Sequence, residues 1–79
     1  MISNKNLDEK YLIFSNNVRS LRRDRHLTQE QLAELSDLSI SYIKQIESGK
    51  EYKNVSLTTM LNISKALNVS VEHLFKERK

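Results

Sequence analysis

The sequence predicts an all-α fold, and three observations carry that prediction. Its 79 residues contain no proline and a single glycine, so little interrupts helix over long stretches. No run alternates apolar and polar residues for long enough to suggest a strand. Apolar residues recur instead at spacings of three and four, in five segments separated by short polar breaks.

The first helix is expected over about residues 9 to 25, where Phe14, Val18, Leu21 and Arg22 repeat at helical spacing. Leu27 then closes its apolar face. Residues 1 to 10 include Lys5, Asp8, Glu9 and Lys10 and read as a flexible arm, without the apolar stretch and cleavage site of a secretory signal. Thr28 offers a hydroxyl N-cap and Gln31, three residues on, completes a capping box. A short second helix therefore runs from there to about Ser36, with Leu32, Ala33 and Leu35 facing inward. Asp37-Leu38-Ser39 breaks the pattern, and Ser39 is a second N-cap. The third helix carries Ile43, Ile46 and Glu47 and stops near Gly49, the residue that turns left-handed without strain. After a polar stretch over residues 50 to 54, Ser56 caps a fourth helix bearing Leu57, Met60, Leu61, Ile63, Ser64 and Leu67. A fifth, short helix begins at Ser70 and buries Val71 and Leu74.

Composition narrows the function classes. A chain of this size buries only about 60% of its unfolded surface and holds one efficient core, with no room for a second domain. The absence of cysteine excludes a disulfide scaffold and a thiolate zinc site, and fits a reducing, cytoplasmic setting. The apolar run Tyr11-Leu12-Ile13-Phe14 is far short of the roughly 20 residues of a membrane span. His26 and His73 stand apart without ligand spacing, and no glycine-rich phosphate loop or nucleophile triad is present. Neither catalysis, a metal, a cofactor nor a small-molecule ligand is expected.

Charge is distributed unevenly. The net charge of +3 permits polyanion binding without requiring it. Residues 1 to 26 hold six Lys and Arg against three acids, whereas from Leu27 to Asn54 five acids outnumber Lys44, Lys50 and Lys53.

Two short helices and a tight turn make an ordinary helical corner until the residues are considered. Leu27-Thr28-Gln29-Glu30-Gln31-Leu32-Ala33, followed by Ser39-Ile40-Ser41-Tyr42-Ile43-Lys44-Gln45-Ile46-Glu47-Ser48-Gly49-Lys50, resembles the helix-turn-helix of the phage repressor and Cro family, the xenobiotic-response-element family. Ser56-Leu57, Lys65-Ala66-Leu67-Asn68-Val69-Ser70 and Leu74-Phe75 resemble that family's fourth and fifth helices. The likeness covers about residues 18 to 75, within a domain spanning 11 to 79. It implies a compact five-helix domain that binds double-stranded DNA as a transcriptional regulator, with the second helix over the backbone and the third in the major groove. Stand-alone members of this length include Cro-like repressors and restriction-modification controllers, and the controllers share the Tyr42-Ile43 pair. One departure is Asp37, where the family's turn usually has glycine; aspartate tolerates the left-handed region better than most residues.

Helical geometry independently marks the third helix as a reader. At about 100° per residue from Ile40, Ser41, Lys44, Gln45 and Ser48 fall between about 40° and 140°, opposite Ile43, Ile46 and Glu47. Gln45 suits an adenine edge, Ser41 several bases and Ile40 a thymine methyl, so Ile40, Ser41, Lys44 and Gln45 are the candidate base contacts. Thr28, Gln29, Ser39, Tyr42, Lys50, Lys53 and Asn54 are the candidate backbone contacts, because helix N-termini and flexible cations suit phosphate. Tyr42, at about 200°, is divided between DNA and core. Arg22 and Glu47 occupy positions that hold a structural ion pair in the resembling repressors.

A homodimer follows from the arithmetic of recognition, since one helix reads few base pairs. Leu61, Ile63 and Phe75 are its expected interface, although burial within one protomer fits the same pattern. The alternative is an antitoxin that binds a partner toxin and uses the same motif on its own promoter. Residues outside the domain are few for a toxin-binding extension.

Overall fold

A computed structural model describes residues 4–50 and 54–77, with side chains from residue 7 onward. Among these residues there are four α-helices, α1 (Asn4–Asp24), α2 (Gln29–Ser36), α3 (Ile40–Ser48) and α4 (Leu57–Ala66), then one 3-10 turn, Glu72–Phe75. No strand occurs among them, so the all-α class holds.

Three helix starts follow the expected capping chemistry. Thr28 Oγ1 accepts from the Gln31 amide at 3.0 Å while the Gln31 side chain accepts from the Thr28 amide at 2.8 Å, a reciprocal capping box. Ser39 and Ser56 cap α3 and α4 in the simpler way, each accepting from the amide three residues on. Helix ends share a second device, a left-handed residue at His26, Asp37, Gly49 and Asn68, with φ near +60°. Asp37 adopts φ 58° in the tight turn between α2 and α3, so the turn survives without the family's glycine. Gly49 has a further reason to lack a side chain: a Cβ there would lie 3.1 Å from Leu12 and 3.4 Å from Ser15 of α1.

One core joins the elements. Phe14, Val18 and Leu21 of α1 meet Leu32 and Ala33 of α2, Ile43 and Ile46 of α3, Ile63 and Leu67 from α4 and its end, and Leu74 of the 3-10 turn. Burying each large apolar side chain stabilises by about 1.5 to 3 kcal/mol, which seats the third helix firmly on the second.

Several expectations are corrected. The arm expected over residues 1 to 10 is helical from Asn4, because Leu7 and Tyr11, one turn apart, extend the apolar stripe of α1 toward Phe75. The fifth helix is reduced to a 3-10 turn. Its amides bond three residues back, Leu74 to Val71 and Lys76 to His73, and Asn17 Nδ2 donates to the carbonyls of Leu74 and Lys76, both at 2.8 Å, which caps the end of the segment from α1. Leu35 is 59% exposed, since Leu32, Ala33 and Ser36 already fill the inward face of an eight-residue helix. Leu57 and Leu61 lie on the flank of α4, at 65% and 50% exposure, while Ile63, Ser64 and Leu67 face the core. No helix among the described residues is long and apolar enough to cross a membrane.

Candidate nucleic-acid interface

The outward face of α3 is polar and open. Ser41, Lys44, Gln45 and Ser48 are all exposed on it, and Ile43, Ile46 and Glu47 are buried behind it. The division follows the helical period: residues at i, i+3 and i+4 point into the core, so the intervening ones share the opposite side. Ile40 and Tyr42 are half-buried against the core, which gives each a fixed body and a free edge. Ser48 Oγ donates to the Gln45 carbonyl at 2.8 Å and accepts from the Lys50 amide at 3.4 Å, finishing the helix beside Gly49.

The expected backbone-contacting residues divide into groups. Thr28 and Ser39 sit at the starts of α2 and α3, exposed, and their oxygens accept the Gln31 and Tyr42 amides. Lys50 and Asn54 are exposed beyond the end of α3. Lys53 lies outside the described residues.

Gln29 differs from its expected place. Its side chain is half-buried, and Nε2 donates to Glu47 Oε1 at 3.2 Å. This contact belongs to a larger cluster. Arg22 Nε and one terminal nitrogen donate to the two Glu47 oxygens at 2.7 and 3.0 Å, and the other terminal nitrogen donates to the Leu27 carbonyl at 2.7 Å. Glu47 is 3% exposed and satisfied on both oxygens. The expected pair is therefore a bidentate ion pair joining α1 to α3, with an additional donor from α2.

The dimer residues fare unequally. Leu61 is exposed, but Ile63 is fully buried and has no surface to offer a partner. It points inward because it shares a face of α4 with Ser64 and Leu67. Phe75 is half-buried, its ring 5.3 Å from Phe14 in a stacked arrangement, so it contributes to the protomer's own packing as well as to its surface.

Sequence reasoning missed Asn17. It is 3% exposed, and the signal was its place three residues after Phe14 and four before Leu21, on the apolar stripe itself.

Comparison with known proteins agrees with this geometry. Residues 18–74 match the helix-turn-helix family. The control protein C.SmaI of Serratia marcescens is 47% identical over 62 residues, covering 78% of this chain and 71% of that protein. The control protein C.BamHI of Bacillus amyloliquefaciens is 42% identical over 64 residues, covering 80% and 76%. In three dimensions, the restriction-modification controller protein C.AhdI of Aeromonas hydrophila superposes with a TM-score of 0.75 at 38% identity, over 82% of this chain and 96% of that one.

Proposed function

The chain belongs to the helix-turn-helix family of DNA-binding transcriptional regulators, and from that premise we propose that it reads a palindromic operator as a homodimer, α3 lying in the major groove. The carrying observation is the exposed face of Ser41, Lys44, Gln45 and Ser48, backed by a buried face and seated against α2. Ser41, Lys44, Gln45 and the free edge of Ile40 meet base edges. Thr28, Ser39, Tyr42, Lys50, Lys53 and Asn54 hold the sugar-phosphate backbone, which fixes register without reading sequence.

Dimerisation follows from length. Nine residues of α3 span about 14 Å at 1.5 Å each, which reaches about four base pairs. Two copies related by a dyad, one helical turn apart, double the sequence read. Leu57 and Leu61 supply exposed apolar surface on α4 for the contact, and half-buried Phe75 is the remaining candidate. The C.SmaI, C.BamHI and C.AhdI likenesses favour a role as a controller of a restriction-modification system. The antitoxin alternative gains no specific support from these relatives.

Selection from a random duplex pool tests the reading. Sequencing the duplexes retained by the purified protein should reveal two inverted half-sites with centres about 10 base pairs apart. Sedimentation should show a dimer that Leu61→Asp shifts toward monomer. A pool without enriched sequence would defeat the operator reading, and a monomer on the selected duplex would defeat the dimer.

A further inference from the structure

α1 begins well before the part of the chain that matches the helix-turn-helix family, which starts at residue 18. That extra length builds one wall of a pocket. Leu7, Lys10, Tyr11 and Phe14 stand on it, and Val55, Met60 and Phe75 face them from the chain beyond α3. The pocket has a volume of about 130 Å³. A cavity of about 150 Å³ lined by aliphatic and aromatic side chains holds benzene, so this one has room for a single ring of that size.

Two further features define what fits. The first is the aromatic character of the walls: both phenylalanines of the chain and one of its three tyrosines line the pocket. Tyr11 and Phe14 are tilted by 40° with centroids 6.1 Å apart, and Phe14 and Phe75 stack at 5.3 Å. Such faces and edges suit another ring. The second is Lys10, the exposed member of a lining that is otherwise buried or half-buried. Its stem covers apolar surface at the rim while its ammonium stands in water at the mouth. Lys10 has no ion-pair partner among the described residues.

We infer that this pocket binds a small aromatic carboxylic acid, with its ring against Phe14 and Phe75 and its carboxylate beside the Lys10 ammonium. An apolar void forfeits dispersion contacts on every side that it leaves empty, so a ring that enters gains both contact and buried area. Lys10 then chooses among rings. A carboxylate at the rim keeps part of its hydration and gains an opposite charge, whereas one carried to the floor of the pocket would lose its water. None of the lining residues belongs to α2 or α3, so the site stands or falls apart from the operator reading.

Benzoate is the probe, titrated against the full chain at constant ionic strength and followed by methyl NMR. The methyl groups of Leu7, Val55 and Met60 should shift together and saturate, with a dissociation constant on the order of 1 to 10 mM, the strength open to so small a molecule. Acetate, which has the charge without the ring, should leave them in place. Benzyl alcohol, which has the ring without the charge, should bind about threefold more weakly than benzoate. Lys10→Met keeps the stem, removes the ammonium and should bring benzoate down to the level of benzyl alcohol. Leu7→Trp, near the start of α1, fills the pocket and should abolish binding of both. Should Leu7→Trp unfold, Met60→Phe fills the pocket from the opposite wall and decides in the same way. The absence of a saturable shift with benzoate overturns the inference, as does acetate or benzyl alcohol matching it, or either Lys10→Met or the filled variant binding benzoate as wild type does. Shifts of the same methyls that follow protein concentration without benzoate would give the pocket to a second copy of the chain and overturn it as well.

Discussion

Two buried polar clasps hold this domain, at opposite ends of its sequence separation and by different chemistry. The first is charged: Arg22 and Glu47, 25 residues apart, with Gln29 adding a donor. The second is neutral: Asn17 alone, its amide giving both hydrogens to the carbonyls of Leu74 and Lys76. Each ties α1 to a distant element, α3 in one case and the C-terminal 3-10 turn in the other. Their difference lies in what remains when one partner is lost. Removing Glu47 strands a guanidinium in a site built for its partner, whereas removing Asn17 strands two carbonyls, one of them partly within reach of water.

The largest expected effect comes from the charged clasp. Glu47→Ala should destabilise the fold by roughly 3 to 5 kcal/mol, read from denaturant unfolding. A Glu47→Ala protein that unfolds at the wild-type midpoint would remove the distinction between the clasps.

The neutral clasp should cost less. Asn17→Leu leaves the Leu74 and Lys76 carbonyls without their donor, and the expected loss is about 1 to 3 kcal/mol. Because the side-chain bonds of Asn17 run to the C-terminal segment, DNA discrimination should be unchanged in the folded fraction. A loss equal to that of Glu47→Ala would mean that charge is not what separates the two regions.

A smaller effect sharpens the same contrast through pH. Tyr11 lies on α1, one turn before Asn17's neighbour Phe14 and packed beside it, and burial pushes its phenol above the ordinary value of 10.0, against a lowering contribution from Ser15. A raised folded value means that the folded state favours the protonated phenol. Its contribution is present below pH 10.0 and is lost as pH rises through the higher folded value. Unfolding measured between about pH 8 and pH 11 should therefore show a steeper alkaline decline for wild type than for Tyr11→Phe. Parallel profiles would show that the phenol does not register its burial.

The clasps also mark how far the sequence could be read. Arg22 and Glu47 were legible because the resemblance assigned them a role and the period of α3 turned Glu47 inward. Gln29 was placed at the right helix start but given to phosphate, since spacing along a chain does not show which way a half-buried amide turns. Asn17 has no such signal beyond its place on the apolar stripe of α1. Its partners are backbone carbonyls, which carry no residue identity for a sequence to display. The caps at Thr28, Ser39 and Ser56 and the left-handed ends at Asp37 and Gly49 were local matters, and local chemistry decided them. Leu35 and Ile63 were misassigned for the converse reason: periodicity defines an apolar stripe, but which edge of it a neighbouring helix covers depends on tertiary packing.

The central claim is that the outward face of α3 reads bases while residues beyond its end hold phosphate. A salt titration of binding to the selected and scrambled duplexes tests it directly, with Gln45→Ala and Lys50→Ala compared to wild type. Lys50→Ala should weaken both duplexes alike and reduce the salt slope by about one unit, whereas Gln45→Ala should lose about 1 to 3 kcal/mol on the selected duplex alone. If Gln45→Ala leaves the ratio of selected to scrambled affinity unchanged at every salt concentration, the face of α3 does not read DNA through that residue and the account is contradicted.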